Sequence, residues 1–328
     1  MSDDGATLPG LDHAELRPPI SLDSHRVRAL EYAARREQNP NDFDMALSAR
    51  VFAQVSLPYR EPVAGTRYWE RRNGDTVLTV RPALLTDADG EKREAFPFGL
   101  LPRHALTWMA TEAARTKSPD LMLGKSMSEF MSKLDLAKNG QNAKRLTEGL
   151  RRLFGAQVSV DARTEYTDGT MIENGYFSIA KHSRLWSSNS NEPGVWGQTI
   201  TLSQDFYNSV IASPVPLDLN AIKALGKSPL RYDLYLWLTH RMSYLNEVSR
   251  VTWEQLNTQF GSQYSKLAKF KFEFLEHLDI VKIVYPDLNV EVDSRYLILK
   301  PSKTHVPMIP GAKRSKLILA GDKDFRVS

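Results

Sequence analysis

An α+β fold of two tandem winged helices, preceded by an N-terminal helix and a small antiparallel sheet, is what this chain predicts, and three observations carry the prediction. Two runs share one order of elements: helix, short strand, capped helix, turn, longer helix, strand, loop, strand. The offset between the runs is nearly constant, because Pro102 lies as far from Pro229 as Ser126 does from Thr252, to within one residue. In both runs the middle helix opens on a hydroxyl residue with Glu129 or Gln255 three positions on, the signature of a capping box. One helix-turn-helix with an appended hairpin is easily matched by chance, but two in tandem at one offset form an internal repeat of pattern.

Residues 1–22 read as an acidic flexible tail, with Asp3, Asp4, Asp12 and Glu15 against Arg17 alone. From Asp23 to Gln38, Val27, Leu30, Ala33 and Ala34 recur at helical spacing beside several arginines, which predicts a short amphipathic helix. Val51, Ala53, Val55 and Leu57 alternate, which predicts a strand. Tyr68–Arg72 and Thr76–Val80 flank Asn73-Gly74-Asp75, a hairpin signal because Asn-Gly supplies positive φ. Residues 23–212 are thus expected to hold this N-terminal extension and the first winged helix, 213–303 the second, and 304–328 a basic tail.

In the first unit, Pro102 suits the first turn of a helix running to about Lys117, with Leu106, Met109, Ala110 and Ala113 inward. Leu121-Met122-Leu123 is a short strand, and Ser126 caps a helix bearing Phe130, Met131 and Leu134. After the Asn139-Gly140 turn, Gln141–Phe154 is a longer helix, followed by a strand at Val158–Val160, a polar loop over Arg163–Asn174 and a strand at Tyr176–Ile179. Gln198–Leu202 is a connecting strand and Ser203–Ile211 a short helix docked on this unit. In the second unit, Ser228 caps a helix through Met242, Val248–Val251 is a strand, and Thr252 with Gln255 opens the next helix. Ser262–His277 is the long helix, Ile280–Tyr285 a strand, Pro286–Asn289 a turn and Tyr296–Lys300 the returning strand.

The composition bounds the function. The chain has 328 residues, which suggests two domains, and it contains no cysteine, which removes disulfides, thiolate metal centres and thiol nucleophiles. The N-terminus carries no signal peptide and no stretch is apolar enough to span a bilayer, so a cytoplasmic protein with no membrane contact is expected. Net charge is +4, and the acidic tail hides a larger surplus in the remainder, compatible with a polyanion partner. Gly124-Lys125-Ser126 and Gly226-Lys227-Ser228 resemble the end of a phosphate loop, but Pro119 and Ala221 stand where its first glycine is required. The seven histidines are scattered without ligand spacing. No serine-hydrolase elbow is present either. The expectation is a binding protein, not an enzyme, with neither metal nor cofactor.

A helix-turn-helix places its second helix in the major groove, polar residues near the N-terminus facing base edges. In the first unit these are Gln141, Asn142, Lys144 and Arg145, with Arg151 and Arg152 further along. In the second they are Ser262, Gln263 and Tyr264, flanked by Lys266, Lys269 and Lys271. The hairpins add Arg163 and Arg295. Any one of these also fits the solvated face of an amphipathic helix. Trp108, Trp237 and Trp253 sit among apolar positions and read as core.

The stretch Phe98-Gly99-Leu100-Leu101-Pro102-Arg103, with Leu106, Trp108, Ala110-Thr111-Glu112-Ala113 and Arg115-Thr116-Lys117, resembles plasmid-encoded RepA replication initiators. Leu123-Gly124-Lys125-Ser126, Glu129-Phe130 and the run from Arg145-Leu146 to Arg151-Arg152-Leu153-Phe154 share the resemblance, which is clearest over residues 96–160. It implies a theta-type initiator that binds directly repeated origin sites (iterons) in double-stranded DNA, opens an adjacent AT-rich stretch, and recruits the host initiator and replicative helicase. It also implies a homodimer in equilibrium with an active monomer, and a second unit that reads the groove more specifically than the first. The competing readings are a winged-helix repressor acting on its own operator, a DNA-nicking enzyme and a protein-interaction scaffold.

Overall fold

The structure, a computed structural model, describes residues 24–87, 89–166, 169–185, 199–261 and 266–307. The N-terminal part runs α1 (Ser24–Gln38), β1 (Met45–Ala49), α2 (Arg50–Gln54), β2 (Trp69–Asn73), β3 (Thr76–Arg81), β4 (Ala83–Thr86) and β5 (Lys92–Ala95). Next come α3 (Leu100–Thr116), β6 (Asp120–Met122), α4 (Met127–Lys133), α5 (Gly140–Gly155), β7 (Gln157–Tyr166), β8 (Gly169–Ser178), β9 (Ala180–Arg184), β10 (Thr199–Leu202) and α6 (Gln204–Ala212). The last third holds β11 (Pro214–Asp218), α7 (Leu219–Leu225), α8 (Pro229–Tyr244), β12 (Ser249–Thr252), α9 (Trp253–Phe260), α10 (Leu267–Val284), β13 (Val290–Val292) and β14 (Tyr296–Leu299). It is a mixed α/β fold with small antiparallel sheets. Among the described residues no helix is long and apolar enough to cross a membrane.

The local signals act where the sequence places them. Ser126 accepts from the Glu129 N–H, Ser228 from the Arg231 N–H, and Thr252 with Gln255 forms the reciprocal capping box. Glu129 reaches one residue further back than such a box requires, to the Lys125 N–H at 2.8 Å. Both serines of the apparent phosphate loops are therefore occupied as caps. The β2–β3 hairpin turns at Gly74, whose φ of +57° suits glycine, while Asn73 sends its side-chain amide to the Gln54 carbonyl. Leu106, Met109, Ala110 and Ala113 of α3 are buried as the spacing requires, and Leu146, Leu150 and Leu153 of α5 pack inward. Gly149 allows α5 to close on α3, since a Cβ there would lie 2.6 Å from Leu101 Cδ2.

Several expectations fail, each for a physical reason. The alternation Val51–Leu57 is not a strand: α2 occupies residues 50–54, and because residues 46–56 are all buried, no wet face remains to fix a period. In α1 the buried residues are Ala29 and Tyr32, and Leu30 faces solvent. The polar segment 163–174 is largely strand, because β7 and β8 continue as a projecting ribbon paired out to Tyr166 and Gly169. Residues 280–284 belong to α10, which continues past His277 to Val284, so the second hairpin is β13–β14. Its β14 pairs with β12 on the other side, giving the order β12-β14-β13. The first unit closes differently. Its short β6 pairs with β10, and its hairpin joins β2 and β3 in the order β2-β3-β7-β8.

Distant segments also meet. The proline-punctuated run at 213–216 becomes β11, paired antiparallel with β1 so that Leu47 faces Pro216. Prolines fit there because a two-stranded sheet leaves an edge needing no donor. One hydrophobic cluster runs from Ala29 to Leu299, and β1–β11 joins segments 23–212 and 213–303. Arg103 of α3 and Asp233 of α8 add a buried ion pair, with Nε to Oδ1 at 2.8 Å and Nη2 to Oδ2 at 2.7 Å. His305 and Val306, expected in a basic tail, are buried against this core. Residues 1–22 and 308–328 lie outside the described residues.

Candidate nucleic-acid interface

In the second unit the start of α10 and the tip of the β13–β14 hairpin are fastened together. Lys271 Nζ donates to the carbonyls of Asp293 and Ser294 at 2.9 and 3.1 Å and sits 4.4 Å from the Trp253 ring centroid. Trp253 Nε1 donates to the same Asp293 carbonyl at 3.2 Å, and the Asp293 carboxylate accepts from the backbone N–H groups of Arg295 and Tyr296. Lys271 is therefore a clamp, not a free cation. Lys266, Lys269 and Arg295 remain exposed around it and enter no ion pair among the described residues. Arg295 lies over the Tyr296 ring at 5.6 Å. Ser262, Gln263 and Tyr264 lie outside the described residues. The long helix begins at Leu267 with Lys266 at its N-cap, five residues later than the sequence suggests.

In the first unit Asn139 caps α5 by accepting from the Asn142 N–H at 2.8 Å, and Asn142 Nδ2 donates to the Ala137 carbonyl. Gln141, Lys144 and Arg145 are exposed on the first turns, and the two cations form no ion pair among the described residues. The far end of α5 differs. Arg152, only 14% exposed, bonds Glu148 at 2.9 Å and also Glu61, and packs over the Phe98 ring. Arg151 donates to the Thr86 carbonyl at 2.6 Å and lies 3.7 Å from Glu148. Arg93 of β5 binds Glu148 at 2.6 Å and Asp87 at 2.9 Å. Burial opposes the charge on Glu148, yet the hydrogen bonds from Arg93 and Arg152 hold its carboxyl below the usual range. This cluster welds α5 to the β4–β5 hairpin, and Arg151 and Arg152 each hold bonds within it. The i, i+4 spacing of Glu148 and Arg152 signals their pairing in the sequence. Nothing local signals Arg93 or Glu61.

The exposed side of Arg163 on β7 lies on the outer face of the β2-β3-β7-β8 sheet, and its backbone N–H donates to the Asp75 carbonyl at 3.2 Å. Arg72, Glu70 and Asp161 share that surface, so its charge is mixed. Arg250 on β12, which sequence reasoning missed, is exposed beside the second hairpin. Among the described residues no group of three or more histidine or acidic side chains could hold a metal ion. Among the described residues the geometry thus offers two helix starts with outward cations, that of α5 also with the Gln141 amide and that of α10 locked to a hairpin tip.

Residues 96–255, just under half of the chain, match the family described as plasmid encoded RepA protein. No curated protein matches the chain. Among solved structures, domains 2 and 3 of RctB align at 12% identity over 79% of this chain and 99% of that one, with a TM-score of 0.49. A second RctB structure, of residues 155–483, aligns at 12% identity over 76% and 96%, with a TM-score of 0.44. Neither likeness reaches the level at which a shared fold follows. The stretch Phe98–Phe154 that suggested the resemblance lies inside the matched region, so over residues 96–255 this chain is similar to the plasmid-encoded RepA proteins that the family describes.

Proposed function

We infer that the chain initiates plasmid replication by binding repeated origin sites in duplex DNA through two winged helices, α3–β8 and α8–β14. The observation that carries this reading is the joint placement of exposed Lys266, Lys269 and Arg295 at the start of α10 and the hairpin tip that Lys271 fastens to it. A helix start in the major groove and a hairpin tip on the flanking phosphates is the docking such a unit would use. The exposed first turns of α5, with Gln141, Lys144 and Arg145, provide a second contact. Because a continuous core joins the units, binding by one raises the effective concentration of the other.

The action is binding without catalysis or cofactor: the protein holds duplex DNA, opens an adjacent AT-rich stretch and recruits the host initiator and helicase. It exchanges between dimer and monomer in the cytoplasm. Fluorescence anisotropy at about 150 mM salt, with duplex repeats from the replicon against a scrambled duplex, tests the core of this reading. A preference on the order of 10³ supports it, and equal binding to both overturns it. Permanganate reactivity of an AT-rich flank then separates an initiator from a repressor that binds without opening.

The split between free and tied cations gives a sharper expectation. Lys144→Ala and Lys269→Ala each weaken cognate and scrambled duplexes alike and lower the slope of log K against log salt by about 0.9. Arg152→Ala leaves that slope unchanged, because Glu148 and Glu61 already neutralise its charge within the fold. A full unit of slope lost in Arg152→Ala would show that it, too, contacts phosphate.

A further inference from the structure

Three phenylalanines fall within five residues of α10 and part company. Phe270 and Phe274 are fully buried, whereas Phe272 is 62% exposed. A single exposed apolar residue needs no explanation on an ordinary surface. This one has particular neighbours. Ala268 and Lys269, four and three positions earlier, are exposed on the same side of the helix. The adjacent Lys271 is pinned to the Asp293 and Ser294 carbonyls, which brings the hairpin tip and Arg295 alongside this turn. Glu276 and Asp279 follow on the exposed side only after Phe272. The ring therefore stands in the second turn of the helix, inside the cationic end and before the acidic one.

A docked protein partner would be met by an apolar patch, but toward the helix start the exposed neighbours of Phe272 are Lys269 and the Ala268 methyl, with Arg295 on the adjoining hairpin tip, while the exposed Glu276 lies one turn on; a polyanion fits the side toward the helix start. The major groove of DNA presents one apolar group, the C5-methyl of thymine, and apolar side chains are what read it. We propose that Phe272 is a specificity-determining residue that packs on the C5-methyl of one thymine in the recognised duplex. This rests on the duplex-reading function above and adds a base to it. Ala268, one turn earlier, widens the apolar strip, and Lys269 and Arg295 hold the flanking phosphates.

The test begins with selection of preferred duplexes from a randomised library by the full chain, followed by substitution of each selected thymine by uracil. Uracil keeps the pairing and the O4 acceptor and removes only the methyl. At one position the natural chain loses about fourfold in affinity, the size expected for one buried methyl group. Phe272→Ala binds thymine and uracil duplexes equally at that position, and Lys269→Ala, weaker overall, still tells them apart. An unchanged thermal midpoint in Phe272→Ala, expected because the ring touches water, shows that the fold is intact. The proposal is overturned if Phe272→Ala keeps the natural thymine-to-uracil ratio, or if the natural chain is indifferent to uracil at every position. Failure to enrich any sequence would overturn the duplex-reading function itself.

Discussion

Asp233→Ala lowers the stability of the fold by about 3–5 kcal/mol, the range for removing one partner of a buried ion pair. Both side chains are almost wholly inaccessible, 3% and 4% exposed, so nothing from solvent replaces the lost carboxylate. Arg103 holds more than its ion pair. Its Nη2 donates to the Leu57 carbonyl at 2.7 Å, and Nη1 donates to those of Gly99 and Pro58 at 2.6 and 3.3 Å. Burial works against the guanidinium charge, and the Asp233 carboxylate overcomes it, holding Arg103 above its ordinary range. One side chain thus ties the start of α3 to α8 and to the loop after α2. Urea unfolding followed by circular dichroism measures the loss; a change below about 1 kcal/mol would mean that water reaches the orphaned guanidinium. Arg103→Met combined with Asp233→Leu recovers part of it, because two matched apolar groups leave no buried charge. The double variant still falls short of the natural chain, since the Leu57, Pro58 and Gly99 carbonyls lose a donor.

Arg103 also marks the boundary of what the sequence discloses. Its place in the first turn of α3 is legible beside Pro102, but its partner lies on another helix far along the chain, and no periodicity points there. The same division runs through the fold. Ser126, Ser228 and the Thr252–Gln255 box are read correctly because a cap bonds to the next few backbone groups. The doubled order of elements is legible for the same reason. Which strands pair is not: β6 finds β10 and β1 finds β11 through contacts that only the folded chain brings together. Where a segment is buried on all sides, as at 46–56, the pattern loses its period and α2 is misread. Where a ribbon has two wet faces, as in the outer part of β7–β8, polarity mimics a loop. At the candidate interface, the cationic character of α5 and α10 is visible in composition, but not which cations are free. Arg152 and Lys271 look like Lys144 and Lys269 until Glu61 and the Asp293 carbonyl are in place.

His305 makes the fold sensitive to acid by a second buried network. Tyr32 donates to Asp218 at 2.6 Å, and His305 Nε2 lies 3.2 Å from the Tyr32 hydroxyl. On the other side of the ring, Tyr235 lies 2.7 Å from Nδ1 and itself accepts from the Asp218 backbone N–H at 3.0 Å. Every hydrogen is used once if the imidazole is neutral: Nε2–H donates to Tyr32, and Nδ1 accepts from Tyr235. Adding a proton at Nδ1 would leave the Tyr235 hydroxyl facing two donors and its own hydrogen without an acceptor. Burial pushes the imidazole down to about 4, against the attraction of Asp218 and Asp287 and with the help of Arg36, while Tyr285 closes over the ring. The unfolded chain takes up this proton near pH 6.5, and the folded chain refuses it until about pH 4. Stability contributed by neutral His305 is therefore present at neutral pH and lost as pH falls through that window. Between pH 7.5 and 5 the loss amounts to about 2 kcal/mol. His104 and His277, also held to about 4 chiefly by burial, act in the same direction, so the natural chain loses more than this in total. His305→Gln removes the titration while keeping a donor and an acceptor, and its urea midpoint falls less between those two pH values than that of the natural chain. Equal falls in both proteins would place the acid sensitivity elsewhere and leave His305 as a packing residue. The same network ties α1, β11, α8 and the segment after β14 to one another.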